Sequence, residues 1–128
     1  MHDKECTQVN MKSVVIRTTD IQKSITFYEK VLGFIFDSMI SAAPGKQIAF
    51  LSDGAGSAKL ELLYNERNKD ICPGGVSLTF VVDQIASAEK HLVANGVRII
   101  SAPKTIKDGK KIMTAVDPNG VELDFIEE

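Results

Sequence analysis

Apolar and polar positions along the chain form one strand–helix–strands series, and the same series then starts again. Lys12–Thr18 reads Lys-Ser-Val-Val-Ile-Arg-Thr, rich in β-branched residues and strand-like. Asp20 stands where an N-cap belongs, since its carboxylate can accept the orphan amide hydrogens of a first helical turn. Ile21, Ile25, Tyr28 and Leu32 follow at helical spacing, and Gly33 stands where a left-handed residue closes a helix. Three strands are expected next, at Phe34–Ser41, Gln47–Leu51 and Lys59–Tyr64. Their separators, Ala43-Pro44-Gly45-Lys46 and Asp53-Gly54-Ala55-Gly56, carry turn chemistry.

The second series opens with a strand at Val76–Val82, with Asp83 as the expected cap. Ile85, Ala88, Leu92 and Val93 give the apolar positions of a helix that Gly96 closes. Strands near Val97–Ser101, Lys111–Val116 and Val121–Ile126 complete it, the last two joined by the turn Asp117-Pro118-Asn119-Gly120. Four positions correspond in order: Gly33 to Gly96, Ile21 to Ile85, Asp53 to Asp117 and Glu61 to Asp124. Matches in order within the same element sequence point to an internal duplication. The expectation is an α+β fold of two tandem βαβββ modules, at about 11–66 and 75–128. A breaker-rich linker at about 67–74 joins them. Residues 1–10 are polar and aperiodic and read as a loose arm outside a single domain at 11–128.

Composition narrows the function classes. The chain has 128 residues, 25% of them charged, and a net charge of −2 with Lys and Arg scattered singly. No basic stripe offers itself to nucleic acid, and no apolar run approaches the roughly 20 residues of a membrane span. The first residues have no apolar core and do not resemble a secretory signal. Cys6 and Cys72 form no CxxC and read as free thiols of a reducing compartment, so the cytoplasm is expected.

Two acids stand among apolar strand neighbours at the same place in each repeat. Glu61 lies in Lys-Leu-Glu-Leu-Leu-Tyr and Asp124 in Val-Glu-Leu-Asp-Phe-Ile. Strand alternation turns each acid away from its immediate neighbours, so that if those neighbours pack under the helices, the acids face the open side of the sheet. Such a pair can share a divalent cation, or one can act as a general base; otherwise both are surface charges. His2 falls in the arm, and His91 on the second helix reads as solvated or packing. Asp83 and Asp117 read as cap and turn, and Met39 and Met113 as core or cavity lining. No nucleotide loop or nucleophile elbow is present.

The stretch Arg17–Phe34 (RTTDIQKSITFYEKVLGF) resembles the opening of the vicinal oxygen chelate superfamily, and Asp117–Ile126 (DPNGVELDFI) resembles its closing motif. That superfamily includes glyoxalase I, bleomycin-resistance proteins, fosfomycin-resistance enzymes, methylmalonyl-CoA epimerase and extradiol dioxygenases. The resemblance spans roughly Met11–Glu128 and implies paired βαβββ modules around a cavity, usually in a homodimer. Leu60–Asn65 (LELLYN) is similar to the stretch that carries the first metal-binding glutamate of glyoxalase I, the lactoylglutathione lyase. Arg17, Asn65 and Lys107 fall where its glutathione-contacting residues lie.

In glyoxalase I the metal is held by one residue from each of four strands, commonly His, Glu, His and Glu. The corresponding positions here are Ser13, Glu61, Ser77 and Asp124. Losing two imidazoles costs several kcal/mol of affinity for zinc or nickel. The remaining acids suit magnesium or manganese, held weakly through water. The first expectation is therefore a protein that binds a small organic ligand in the cavity with a degenerate metal site. Ser13, Ser77, Arg17, Asn65 and Lys107 would contact that ligand. The second is a glyoxalase-type lyase or isomerase using a divalent metal (Mg, Mn, Ni or Zn), with Glu61 or Asp124 as base.

Overall fold

The computed structural model describes residues 9–128 except 57, 69 and 72, and omits the side chain of Lys107. His2, Cys6 and Cys72, and most of the expected arm, lie outside the described residues.

Eight strands and two helices repeat one pattern twice. In the first module these are β1 (Ser13–Thr18), α1 (Ile21–Thr26, running into a π-turn at Phe27–Val31), β2 (Ile35–Ala43), β3 (Lys46–Ser52) and β4 (Lys59–Asn65). In the second they are β5 (Ser77–Val82), α2 (Ile85–Ala94), β6 (Ile99–Thr105), β7 (Lys111–Val116) and β8 (Glu122–Glu127). Each module is a four-stranded mixed sheet, ordered β1-β4-β3-β2 and β5-β8-β7-β6. In each, the first strand pairs parallel to the last and the other pairs are antiparallel. This is the duplicated βαβββ arrangement that the repeat predicts.

The helix starts are built differently. Asp20 caps α1, its Oδ1 accepting the Lys23 amide at 3.1 Å. Asp83 does not cap α2. Gln84 holds the N-cap position without a side-chain bond to a helix amide, its Oε1 accepting only the Ser87 hydroxyl, and the first helical amide, of Ile85, is taken by Glu127 Oε2 at 2.9 Å from the end of β8. The cap thus comes from the sheet edge beside the helix, which local sequence does not disclose. At the other end α2 closes as expected: Gly96 takes φ 72°, its amide bonds Val93 O, and the Val97 amide bonds Leu92 O, a Schellman closure.

Ile21, Ile25, Tyr28, Ile85 and Leu92 are buried as the helical spacing implies, but Val93 is 60% exposed and belongs to the outer face of α2. Met113 packs in the core, whereas Met39 on β2 is partly exposed. Leu60 and Leu62 of β4, and Leu123 and Phe125 of β8, form one hydrophobic cluster with the helices. An aromatic series crosses the junction of the modules, Tyr28 edge-on to Phe34, Phe34 edge-on to Phe80, and Phe80 stacked on Phe125 at 5.5 Å. The modules therefore share a core through their helix-bearing faces, and the opposite face of each sheet stays open.

Candidate functional site

The register assigns the paired positions to a face, across bulges in β2 between Phe36 and Ser38 and between Ser41 and Ala43, and in β6 on either side of Ser101. Val15 pairs with Glu61, and Glu61 with Phe50, which pairs with Ser38, so these four share a row across the open face of the first sheet. The neighbouring row is Arg17, Leu63, Ile48 and Ile40. In the second sheet the equivalent rows are Thr79, Asp124, Thr114, Ser101 and Val81, Ile126, Ile112, Lys104. Glu61 and Asp124 thus occupy the same place in the duplicated fold, both partly buried, each between neighbours packed under a helix. Alternation alone was sufficient to place them.

Their surroundings differ. Thr114 Oγ1 donates to Asp124 Oδ1 at 2.6 Å, a short charge-assisted bond, and hydroxyls flank the acid on both sides of its row. Glu61 lies between Val15 and the Phe50 ring. The hydroxyl row was missed from sequence, although its signal is present: in β7, Thr114 alternates with the buried Met113 and Ala115.

Ser13 and Ser77 open β1 and β5, each two residues before the residue paired with its module's acid, so each shares that acid's face. Arg17 lines a cleft of about 470 Å³ where β1 approaches the inter-module segment and β5, together with Asp70, Ile71 and Leu78. Neither Glu61 nor Asp124 lines this cleft. Asn65 ends β4 as a turn residue, its Oδ1 accepting the Arg67 amide at 3.0 Å and its carbonyl the Asn68 amide. The Lys107 backbone lies in a short 3-10 turn before β7, and its side chain lies outside the described residues. The register therefore brings Ser13, Arg17 and Glu61 onto one open face and Ser77 and Asp124 onto the other.

The donors at the four positions that the resemblance assigns to a metal are two hydroxyls and two carboxylates, one of them already engaged by Thr114. This set does not fit a tightly held zinc or nickel ion, which draws on imidazole or thiolate. His91 is no substitute: it lies on α2, and its Nε2 donates to Val31 O at 2.8 Å, tying α2 to the end of the π-turn. Among the described residues no group of three or more His, Cys, Asp or Glu side chains is placed to hold a metal.

A second polar constellation joins the modules. The Tyr28 hydroxyl donates to Asp117 Oδ2 at 2.8 Å, and Asp117 Oδ1 accepts the Asn119 and Val121 amides. Asn119 Nδ2 donates to Ser24 Oγ, which shares a hydrogen bond of 2.7 Å with Thr18. Asp117 was expected only to shape its turn; it does so, and it is also the buried anchor of this network. The equivalent Asp53 is exposed and serves its own turn alone, where the Ala55 and Gly56 amides hold its carboxyl below the usual carboxylate range.

The comparisons agree with this architecture. A family profile described as "Glyoxalase/Bleomycin resistance protein/Dioxygenase superfamily" matches residues 10–125. A lactoylglutathione lyase of Escherichia coli O157:H7 is 30% identical over 122 residues, covering 89% of each chain. The crystal structure of glyoxalase I from Zea mays superposes with a TM-score of 0.78 at 24% identity, over 92% of this chain and 44% of that one. An antibiotic-binding protein from Streptomyces sp. CB03234 superposes with a TM-score of 0.76 at 17% identity, over 96% and 98%. With the duplicated modules and the profile match over nearly its whole length, the chain belongs to the glyoxalase/bleomycin resistance protein/dioxygenase superfamily.

Proposed function

We propose that this protein binds a small organic ligand between the open face of a first module and the open face of a second, with the inherited metal positions no longer serving a metal. The observation that carries this reading is the pair of serines, Ser13 and Ser77, at equivalent places beside Glu61 and Asp124. Hydroxyls stand symmetrically where the resemblance assigns two imidazoles, with Glu61 and the shorter Asp124 at the two acid positions. Exposed apolar side chains on those faces, Val15 and Ile40 on one and Val81 on the other, support contact with an apolar ligand or a covering surface. A homodimer would cover them, and it forms part of the proposal. So does a cytoplasmic location; among the described residues no helix is long and apolar enough to cross a membrane. The fold supports such a role, since the antibiotic-binding protein shares it.

The second reading is a glyoxalase I-type lyase, favoured by the name of the 30% identical relative and by Arg17 and Asn65 at the positions named above. Two measurements separate them. Elemental analysis of the purified native protein should find no stoichiometric transition metal. The hemithioacetal of methylglyoxal and glutathione should not turn over with added nickel, zinc, manganese or magnesium. One tightly held metal per chain, or metal-dependent turnover, would replace the binding reading with the enzymatic one.

A further inference from the structure

The two open faces are equivalent in backbone and unlike in chemistry. Position by position, Val15 answers to Thr79, Glu61 to Asp124 and Phe50 to Thr114, with Ser38 and Ser101 common to both. The next row is largely apolar in both, Leu63 and Ile48 answering to Ile126 and Ile112. The first face is thus an apolar patch of Val15, Phe50, Leu63, Ile48 and Ile40 around one acid. The second sets its acid in a line of three hydroxyls that crosses all four strands.

Resting on the binding reading and the homodimer proposed above, we infer that the ligand is an aromatic compound with amino or hydroxyl groups at one end, its ring system on the Phe50 face of one copy and its donors on the Asp124 row of the other. An ionised carboxylate only accepts, and with about four acceptor sites it has room for donors beyond Thr114. A hydroxyl or ammonium group supplies them; a ligand carboxylate supplies none and meets like charge. Thr79, Thr114 and Ser101 turn either way and so complete the bonds of a donor or of a hydroxyl oxygen. Glu122 adds negative charge in the row beyond Asp124, opposite Ser77. On the first face, Lys59 is engaged by Asp37 at 2.7 Å, which leaves the patch around Phe50 suited to a flat apolar body. Arg17 lies at the β1 edge and lines the cleft with Asp70, one row away from Phe50.

Three probes share one ring system and differ only in the head: 2-naphthylmethylamine, 2-naphthalenemethanol and 2-naphthoate, titrated into the full-length protein by calorimetry. The amine and the alcohol should each bind roughly tenfold or more tightly than the carboxylate. Asp124→Asn should erase the preference for amine over carboxylate, and Thr114→Val should weaken the alcohol and amine while leaving the carboxylate unchanged. Phe50→Ala should weaken all three alike, with circular dichroism confirming that each variant folds. Tighter binding of 2-naphthoate, or a preference unmoved by Asp124→Asn, would overturn the donor assignment and leave the site itself standing. Failure of all three probes to bind at millimolar concentration would overturn both.

Discussion

Tyr28 and Asp117 meet at 2.8 Å across 89 residues of sequence, the phenol of the first module donating to the carboxylate of the second. Tyr28 is fully buried and Asp117 is 4% exposed, so water does not replace this bond if either partner is removed. Tyr28→Phe leaves Asp117 Oδ2 with only the long contact to Asn119 Nδ2 at 3.3 Å. A loss of about 1–3 kcal/mol of unfolding free energy is expected, read from urea denaturation. Asp117→Ala should cost more, because the Asn119 and Val121 amides lose their acceptor as well. Asp117→Asn should cost less than alanine, since its amide oxygen still accepts those amides and its amino group can donate to the phenol oxygen. Equal losses for alanine and asparagine would show that the carboxylate oxygens do not hold the turn.

The same pair governs stability in alkali. Burial, followed by the Asp117 charge and hydrogen bond, pushes the Tyr28 phenol well above its ordinary value. The unfolded chain ionises this tyrosine at about pH 10 while the folded chain keeps its proton. The unfolded state then binds fewer protons, so the contribution of Tyr28 is full below about pH 10 and is lost as pH rises from there towards the raised folded value. Tyr28→Phe removes that titration. The difference in stability between parent and variant should stay constant to about pH 9 and then shrink, with a slope approaching 1.4 kcal/mol per pH unit. A constant difference through pH 11 would place the phenol in water.

The cap of α2 gives a sharper contrast between two acids. Glu127 Oε2 accepts the Ile85 amide, whereas Asp83 makes no such bond. Glu127→Ala should lower stability by about 0.5–2 kcal/mol, the usual range for a lost helix cap, and Asp83→Ala should change it by less than about 0.5 kcal/mol. Thermal denaturation of both variants checks the order, and the reverse order would restore the cap to Asp83.

Much of this fold was legible because the duplicated pattern repeats its punctuation. Asp20 acts through its carboxylate on the helix it precedes, and Gly33 and Gly96 act through their own left-handed backbone, so their local sequence is enough to read them. Glu61 and Asp124 could be placed because strand alternation is a local rule. Tyr28, Asp117 and Glu127 were misread or passed over because their partners lie 89, 89 and 42 residues away. A buried hydrogen bond between distant elements leaves no periodic trace. Asp53 and Asp117 show the limit most clearly: the same turn residue at the same repeat position is a surface turn residue in one module and the buried anchor of the interface in the other. The asymmetry of the open faces lies between these cases. Thr79 and Thr114 were readable by alternation, but only the register shows that they flank one carboxylate.

The serines at 13 and 77 offer a direct test of whether the four positions that the resemblance assigns to a metal converge. If the two open faces meet around a four-residue constellation, replacing both serines with histidine should place two imidazoles beside Glu61 and Asp124. Zinc prefers four such ligands, and each serine hydroxyl is a poor donor by comparison. The double variant Ser13→His/Ser77→His should bind zinc more tightly than the parent by more than roughly a hundredfold, the scale on which even the outer partners of metal ligands act. Each single variant should fall between, and addition of Glu61→Gln to the double variant should reverse much of the gain. Competition with a chromophoric chelator measures all of these. If the double variant binds zinc no better than the parent, the four positions do not converge, and the ligand site must be sought in the cleft that Arg17 lines.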